Sequence, residues 1–165
     1  MKPIRIVLIG LLFHAQHAAA SDPIYRMEIR GDFETVYQEI YRSLEEARFF
    51  VIFEADIGRN LAKNAERWGE DYNRNGFEGV RSMIICSPWY ANQLLNIDPR
   101  MMALCPMNIT LLYRAGTVTA LFERLTVVAE DSPAAGVLWE IENSVIGVIE
   151  DVAASHADGA DPAPD

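Results

Sequence analysis

The chain has 165 residues, 50% hydrophobic and 23% charged, a composition that fits one globular domain and excludes wholesale disorder. A domain of this size buries roughly two-thirds of the surface its unfolded chain exposes, so it needs neither a metal nor a disulfide framework to fold. With 14 Lys+Arg against 24 Asp+Glu, a net charge of −10, it is a poor match for nucleic acid or for an anionic membrane surface, both of which want clustered cations.

Residues 1–20 (MKPIRIVLIGLLFHAQHAAA) carry the three parts of a secretory leader: Lys2 and Arg5, an apolar run from Ile6 to Phe13, and the small residues Ala18-Ala19-Ala20. The apolar run is shorter than the roughly 20 residues that a bilayer span requires. The expectation is a signal peptide cleaved after Ala20 and a periplasmic or secreted mature protein with no stable membrane insertion. Cleavage removes two cations and no acid. It also removes His14 and His17, leaving no histidine between Ser21 and Ser155. A Ser-His-Asp or Cys-His pair, an HExxH zinc site and a His-ligated copper site are therefore not available to the folded domain. Lys63 is the one lysine of the mature chain and lies in a polar stretch.

In chain order, Ile24 to Arg30 alternates apolar and polar residues and reads as a half-buried strand. Gly31-Asp32 breaks it, and Asp32 is placed to cap a helix. Phe33, Val36, Tyr37, Ile40, Tyr41 and Leu44 then fall on one helical face that ends near Arg48. Phe49 to Ile57 is dense in aromatic and β-branched residues and reads as a second strand. In the polar stretch 59–79, Leu61, Ala65, Trp68 and Tyr72 line one face of a helix, and Asn73-Arg74-Asn75-Gly76 signals a turn. Val80 to Cys86 is the third strand. Pro88 opens a helix through Asn96, and Pro99 starts a short turn through Leu104. Asn108–Arg114 and Thr117–Arg124 flank Ala115-Gly116 as a hairpin. Ser132-Pro133 starts a long helix with Leu138, Ile141, Val145, Val148, Ile149 and Val152 on one face. Residues 153–165 read as a disordered acidic tail, so the folded domain spans 21–152. This order predicts an α+β fold: one antiparallel sheet with helices packed on one face.

Three motifs give a resemblance. They are Glu54-Ala55-Asp56-Ile57-Gly58 with Asn60-Leu61, then Cys86-Ser87-Pro88, then Leu104-Cys105-Pro106 running into Asn108-Ile109-Thr110-Leu111. Through them Phe50 to Leu125 resembles the bacterial family catalogued as domain of unknown function 302. That family has an acidic strand end before Asn-Leu, a Cys-x-Pro closing a strand, and a cysteine beside a proline before the next strand. The family often has Pro-Cys in the last motif, whereas this chain has Cys-Pro. The resemblance implies a TATA-binding-protein-like β-α-β4-α arrangement and no established activity. A fold likeness of that kind says nothing about DNA.

Candidate sites are few. Cys86 and Cys105 are the chain's two cysteines, both beside strand ends. In an exported protein such a pair is a disulfide candidate. The bridge would close a loop of about 20 residues and contribute roughly 3 kcal/mol. The alternative is two separately buried thiols. Trp89, Tyr90 and Asn92 follow Cys86 at a helix N-terminus, where free N–H groups and aromatic walls suit a small ligand. With Cys86 and Cys105 they form the candidate ligand-binding set, and packing is the plainer role for the aromatics.

Met101, Met102, Cys105 and Met107 gather soft donors that select Cu(I), and Cys105-Pro106 suits thiolate ligation of haem iron. Core packing is the plainer role here too, because methionines fill irregular gaps and adjacent helical positions point about 100° apart. The expectation is no cofactor, with Cu(I) or haem held by Cys105, Met102 and Met107 as the alternative. Glu54 and Asp56 share one side of a strand and are expected on a solvated face. The sequon Asn108-Ile109-Thr110 falls in a strand and is incidental. No catalytic set emerges. The expected function is an exported non-enzymatic domain that binds a small ligand or a partner protein. The alternative is a redox or soft-metal accessory using Cys86 and Cys105, and a homodimer through an exposed sheet edge is the third reading.

Overall fold

The structure, a computed structural model, describes residues 22–129 and 131–158. The leader at 1–20, with its cleavage point, and the tail beyond Asp158 lie outside the described residues. The elements run β1 (Ile24–Arg30), α1 (Phe33–Glu46), β2 (Phe50–Asp56), α2 (Ile57–Ala62), α3 (Ala65–Trp68) and β3 (Gly79–Cys86). They continue with α4 (Pro88–Ile97), a 3-10 strap (Pro99–Leu104), β4 (Met107–Arg114), β5 (Thr117–Glu123), α5 (Leu125–Val128) and α6 (Ala135–Asp158). The sheet order is β1-β5-β4-β3-β2, and all neighbours are antiparallel. This is the single antiparallel sheet of an α+β domain that the sequence predicts.

Period-2 alternation assigns the two faces. Tyr25 and Ile29 of β1, Met83 and Ile85 of β3, and Ile109 and Leu111 of β4 point inward and are buried. Val36, Tyr37, Ile40 and Leu44 of α1 close over them with Leu138, Ile141, Val145 and Ile149 of α6. Asp32 caps α1 by accepting from the Thr35 N–H at 3.0 Å. Ala115 and Gly116 both take positive φ, 49° and 76°, the backbone of a hairpin turn whose twist matches its strands. Among the described residues no helix covers the opposite face of the sheet.

Three readings change. The stretch 59–79 is not one helix. Asp56 caps α2, Gly69 at φ 53° ends α3, and a 3-10 turn (Gly69–Asp71) follows, so Leu61 and Trp68 stay 40% exposed instead of forming a core stripe. The helix expected from Ser132-Pro133 starts as a regular element at Ala135. The Ser132 hydroxyl accepts from the Ala134 N–H and donates to buried Asp98. The same helix runs through Asp158, six residues into the segment read as a disordered tail. His156 is held there by Glu39, Nε2 to Oε2 2.6 Å, and its ring packs against Gly31, which has φ 154° and no side chain to obstruct it. Composition alone misreads that segment because its anchor lies far away on α1.

The β5–α5 corner depends on one buried carboxylate. Glu142 accepts from Arg124 Nη1 at 3.1 Å, from the Thr126 N–H at 2.9 Å and from the Thr126 hydroxyl at 2.8 Å. Replacing it leaves the Thr126 amide and a half-buried guanidinium without a partner. Glu142→Ala is expected to lower unfolding free energy by about 2–3 kcal/mol. Urea denaturation checks this, and Glu140→Ala, on an exposed position of the same helix, should change it little.

Candidate functional site

The candidate residues fall at the two ends of β3, which an eight-residue strand separates by roughly 25 Å. At the C-terminal end, β3 finishes in Cys86, while the strap between α4 and β4 delivers Cys105. The register pairs Ile85 with Met107, which brings the two cysteines together across the β3–β4 step. Their Sγ atoms lie 3.7 Å apart, both as thiols and both half-buried. Burial, reinforced by the neighbouring Cys86 thiol, pushes the Cys105 thiol up to about 11. The Cys105–Pro106 peptide is cis.

Of the other residues of the expected ligand set, Tyr90 lies beside this pair and Trp89 and Asn92 do not. Trp89 is 65% exposed and Asn92 also faces solvent. Tyr90 turns inward and stacks on Phe49, with centroids 5.8 Å apart and planes 14° apart. The space between Cys105, Met107, Tyr90 and Leu138 is only about 10 Å³, room for one water at most. Met107 is buried, and Met102 packs against the core. Among the described residues no three His, Cys, Asp or Glu side chains form a metal-holding group.

At the N-terminal end of β3 lies a cleft of about 440 Å³ that the sequence reading missed. Its floor is the start of β3 with Phe33 and Arg81. Asp56, Arg59 and Leu61 form one side, and Tyr72, Phe77 and Glu78 form the other. Gly79 makes room for this, since a Cβ there would sit 2.9 Å from the Phe33 ring. The Asn73 side chain locks the far wall, accepting from the Phe77 N–H at 3.0 Å and donating to the Phe77 carbonyl at 2.7 Å.

Arg81 organises the floor. It occupies an inward position of β3 in step with buried Met83 and Ile85, so its charge needs compensation there. Its guanidinium lies 3.6 Å from the centroid of the Tyr37 ring and 5.9 Å from that of Phe33. Nη1 donates to Glu34 at 2.7 Å, and Nη2 stands 3.6 Å from Glu54. The Tyr37 hydroxyl donates to Glu54 at 2.5 Å. Burial, followed by that bond to Glu54, pushes the Tyr37 phenol well above its ordinary range, so it remains protonated. Glu54 and Asp56 do share one side of β2 as expected, but it is the inner side. Glu54 is drawn into this network because Tyr37 and Arg81 face it. The signal available in the sequence was Arg81 itself, a charge at a core-parity position of an apolar strand.

A second groove, about 600 Å³, crosses the open sheet face between Arg26, Leu112, Arg114 and Leu121. Its charges are spent along the surface, Arg26 on Glu28 and Arg114 on the Asn75 carbonyl.

The architecture and these sites define a small α+β domain of the β-α-β4-α type. The family model described as "Domain of unknown function DUF302" matches residues 25–152, and the chain belongs to that family. Among solved structures, the fold is similar to the uncharacterized conserved protein DUF302 from Bacillus stearothermophilus. That likeness has a TM-score of 0.68 and 16% identity, covering 79% of this chain and 98% of the other. No curated protein matches the chain.

The sulfur pair makes a direct prediction. With its thiol raised by burial, reduced Cys105 is almost wholly protonated at pH 8 and should alkylate far more slowly than an unperturbed cysteine. Its iodoacetamide rate, followed by peptide mass mapping, should climb until about pH 11, the value to which the thiol is pushed. A plateau near pH 9 would show that the thiol is solvated.

Proposed function

We propose that this chain is an exported, non-enzymatic domain that binds a small ligand in the cleft at the N-terminal end of β3. The observation that carries this reading is the cleft: about 440 Å³, with aromatic and aliphatic walls and a guanidinium fixed by a ring and a carboxylate. Sites of that size, mostly apolar with a few oriented polar groups, are what small-molecule recognition requires. Export follows from the leader at 1–20. In an oxidising compartment, thiol–disulfide exchange with an external disulfide, which takes up the two electrons and two protons, would close two sulfurs already 3.7 Å apart into a disulfide. That bridge would tie the α4 and strap segment to the sheet and leave the cleft, at the far end of β3, free for its ligand.

A second reading makes the sulfur pair itself the working site, as a dithiol/disulfide couple or as a soft-metal or haem holder. The 3.7 Å separation favours it. The raised Cys105 thiol weighs against fast exchange and against easy deprotonation by a metal. Titrations with Cu(I) and hemin, set against a Cys86→Ser/Cys105→Ser double variant, separate the two readings.

The first reading is tested by a thermal-shift screen of the purified mature protein, with hydrogen exchange on each hit. Hits should slow exchange in α2 and in the 72–78 loop. Hits that protect only the Cys86–Cys105 end, and vanish in the double variant, would transfer the function to the sulfur pair.

A further inference from the structure

The cleft carries an inference that rests on the ligand-binding reading and deepens it. Its lining includes two cations and two carboxylates, Arg59 and Arg81 with Asp56 and Glu78. The apolar part of the lining is Phe33, Leu61, Tyr72 and Phe77. Arg81 and Asp56 are fixed in place. Arg81 is pinned on the Tyr37 ring, with Nη1 donating to Glu34 at 2.7 Å and Nη2 3.6 Å from Glu54, so the guanidinium is not free to swing. Its side chain lines the cleft and is 23% exposed, and two partners do not use up its five N–H donors. Asp56 is held at the β2–α2 junction, where Oδ1 accepts from the Arg59 N–H at 2.8 Å. Its Oδ2 has only the Arg59 Nε at 3.5 Å and keeps acceptor capacity.

Each simple ligand class meets an obstacle here. A plain anion satisfies Arg81 but is set beside Asp56 and Glu78. A plain cation satisfies the carboxylates but is set beside Arg59 and Arg81. A neutral apolar molecule that fills the walls removes water from all four charges and returns nothing. A molecule carrying both signs, with an apolar body between the walls, sets each of its charges against an opposite charge of the cleft and fills the apolar space between them. We infer that the cleft takes a small zwitterion with an apolar side chain, of the α-amino-acid kind. Its carboxylate goes to the Arg81 fork and its ammonium to Asp56. Planar carboxylates suit a guanidinium fork because two parallel N–H···O bonds form at once.

Calorimetric titration of the mature protein with four probes tests this: L-phenylalanine, L-leucine, L-phenylalanine amide and N-acetyl-L-phenylalanine. The first two keep both charges, the amide keeps only the cation, and the acetyl derivative keeps only the anion. The expected result is binding of the zwitterions with each singly charged analogue at least tenfold weaker. Asp56→Asn preserves a competent helix cap while removing the negative charge. It should weaken L-phenylalanine about tenfold and bind the acetyl derivative at least as tightly as before, with an unaltered melting temperature as the check on folding. Binding of the amide or the acetyl derivative as tightly as L-phenylalanine would overturn the zwitterion assignment while leaving a ligand-binding cleft. Absence of binding by all four would overturn the assignment outright, and the library screen would decide the broader reading separately.

Discussion

A cation placed where the sheet wants a hydrocarbon decides how this molecule is built at its interesting end. Position 81 points to the covered side of β3, in step with Met83 and Ile85, which are fully buried. A guanidinium there is costly unless it is paired and stacked. The fold supplies a ring at 3.6 Å, a carboxylate at 2.7 Å and a second carboxylate at 3.6 Å. Everything near it follows from that demand. Tyr37 gives its face to Arg81 and its hydroxyl to Glu54, while Phe33 caps the strand where Gly79 offers no side chain. A paired guanidinium on a core-parity position, with its ring and carboxylate partners drawn around it, occupies this corner in place of hydrocarbon packing, and the cleft lies beside it.

The other end of β3 has the opposite character. There the strand finishes against α4 and the strap, packing is nearly complete, and the two sulfurs sit within contact of each other. The family and the fold are established by the match over residues 25–152 and by the structural likeness at TM-score 0.68. At 16% identity that likeness speaks for the backbone alone. The division of labour between an open, charged end and a closed, sulfur-bearing end is a property of this chain's own side chains.

Much of the fold was legible because it rests on short-range patterns. Alternation gave β1, β4 and β5, the 3.6-residue stripe gave α1 and α6, and Ala115-Gly116 gave the hairpin. Cys86 and Cys105 were legible as a pair because each flanks a strand end, and strands that neighbour one another bring their ends together. The cleft was not legible because Phe33, Asp56, Tyr72 and Arg81 meet only through tertiary register. Trp89, Tyr90 and Asn92 were grouped by adjacency in sequence, yet on a helix consecutive residues point in different directions, so Tyr90 went to the core and Trp89 to solvent. Residues 153–158 were misread as tail because their anchor is tertiary: His156 is held by Glu39, 117 residues away.

The account therefore stands on the stacked, paired state of one side chain, and the nuclear magnetic resonance signals of the Arg81 guanidinium report it most directly. A guanidinium 3.6 Å above the Tyr37 ring, with one hand on Glu34, should show ring-current-shifted Nε and Nη signals and a slowly exchanging Nη1 proton at neutral pH. Those shifts should return toward ordinary values in Tyr37→Leu. Arg81 side-chain signals at random-coil positions in the native protein, exchanging freely with water, would contradict the organisation of the cleft and everything inferred from it.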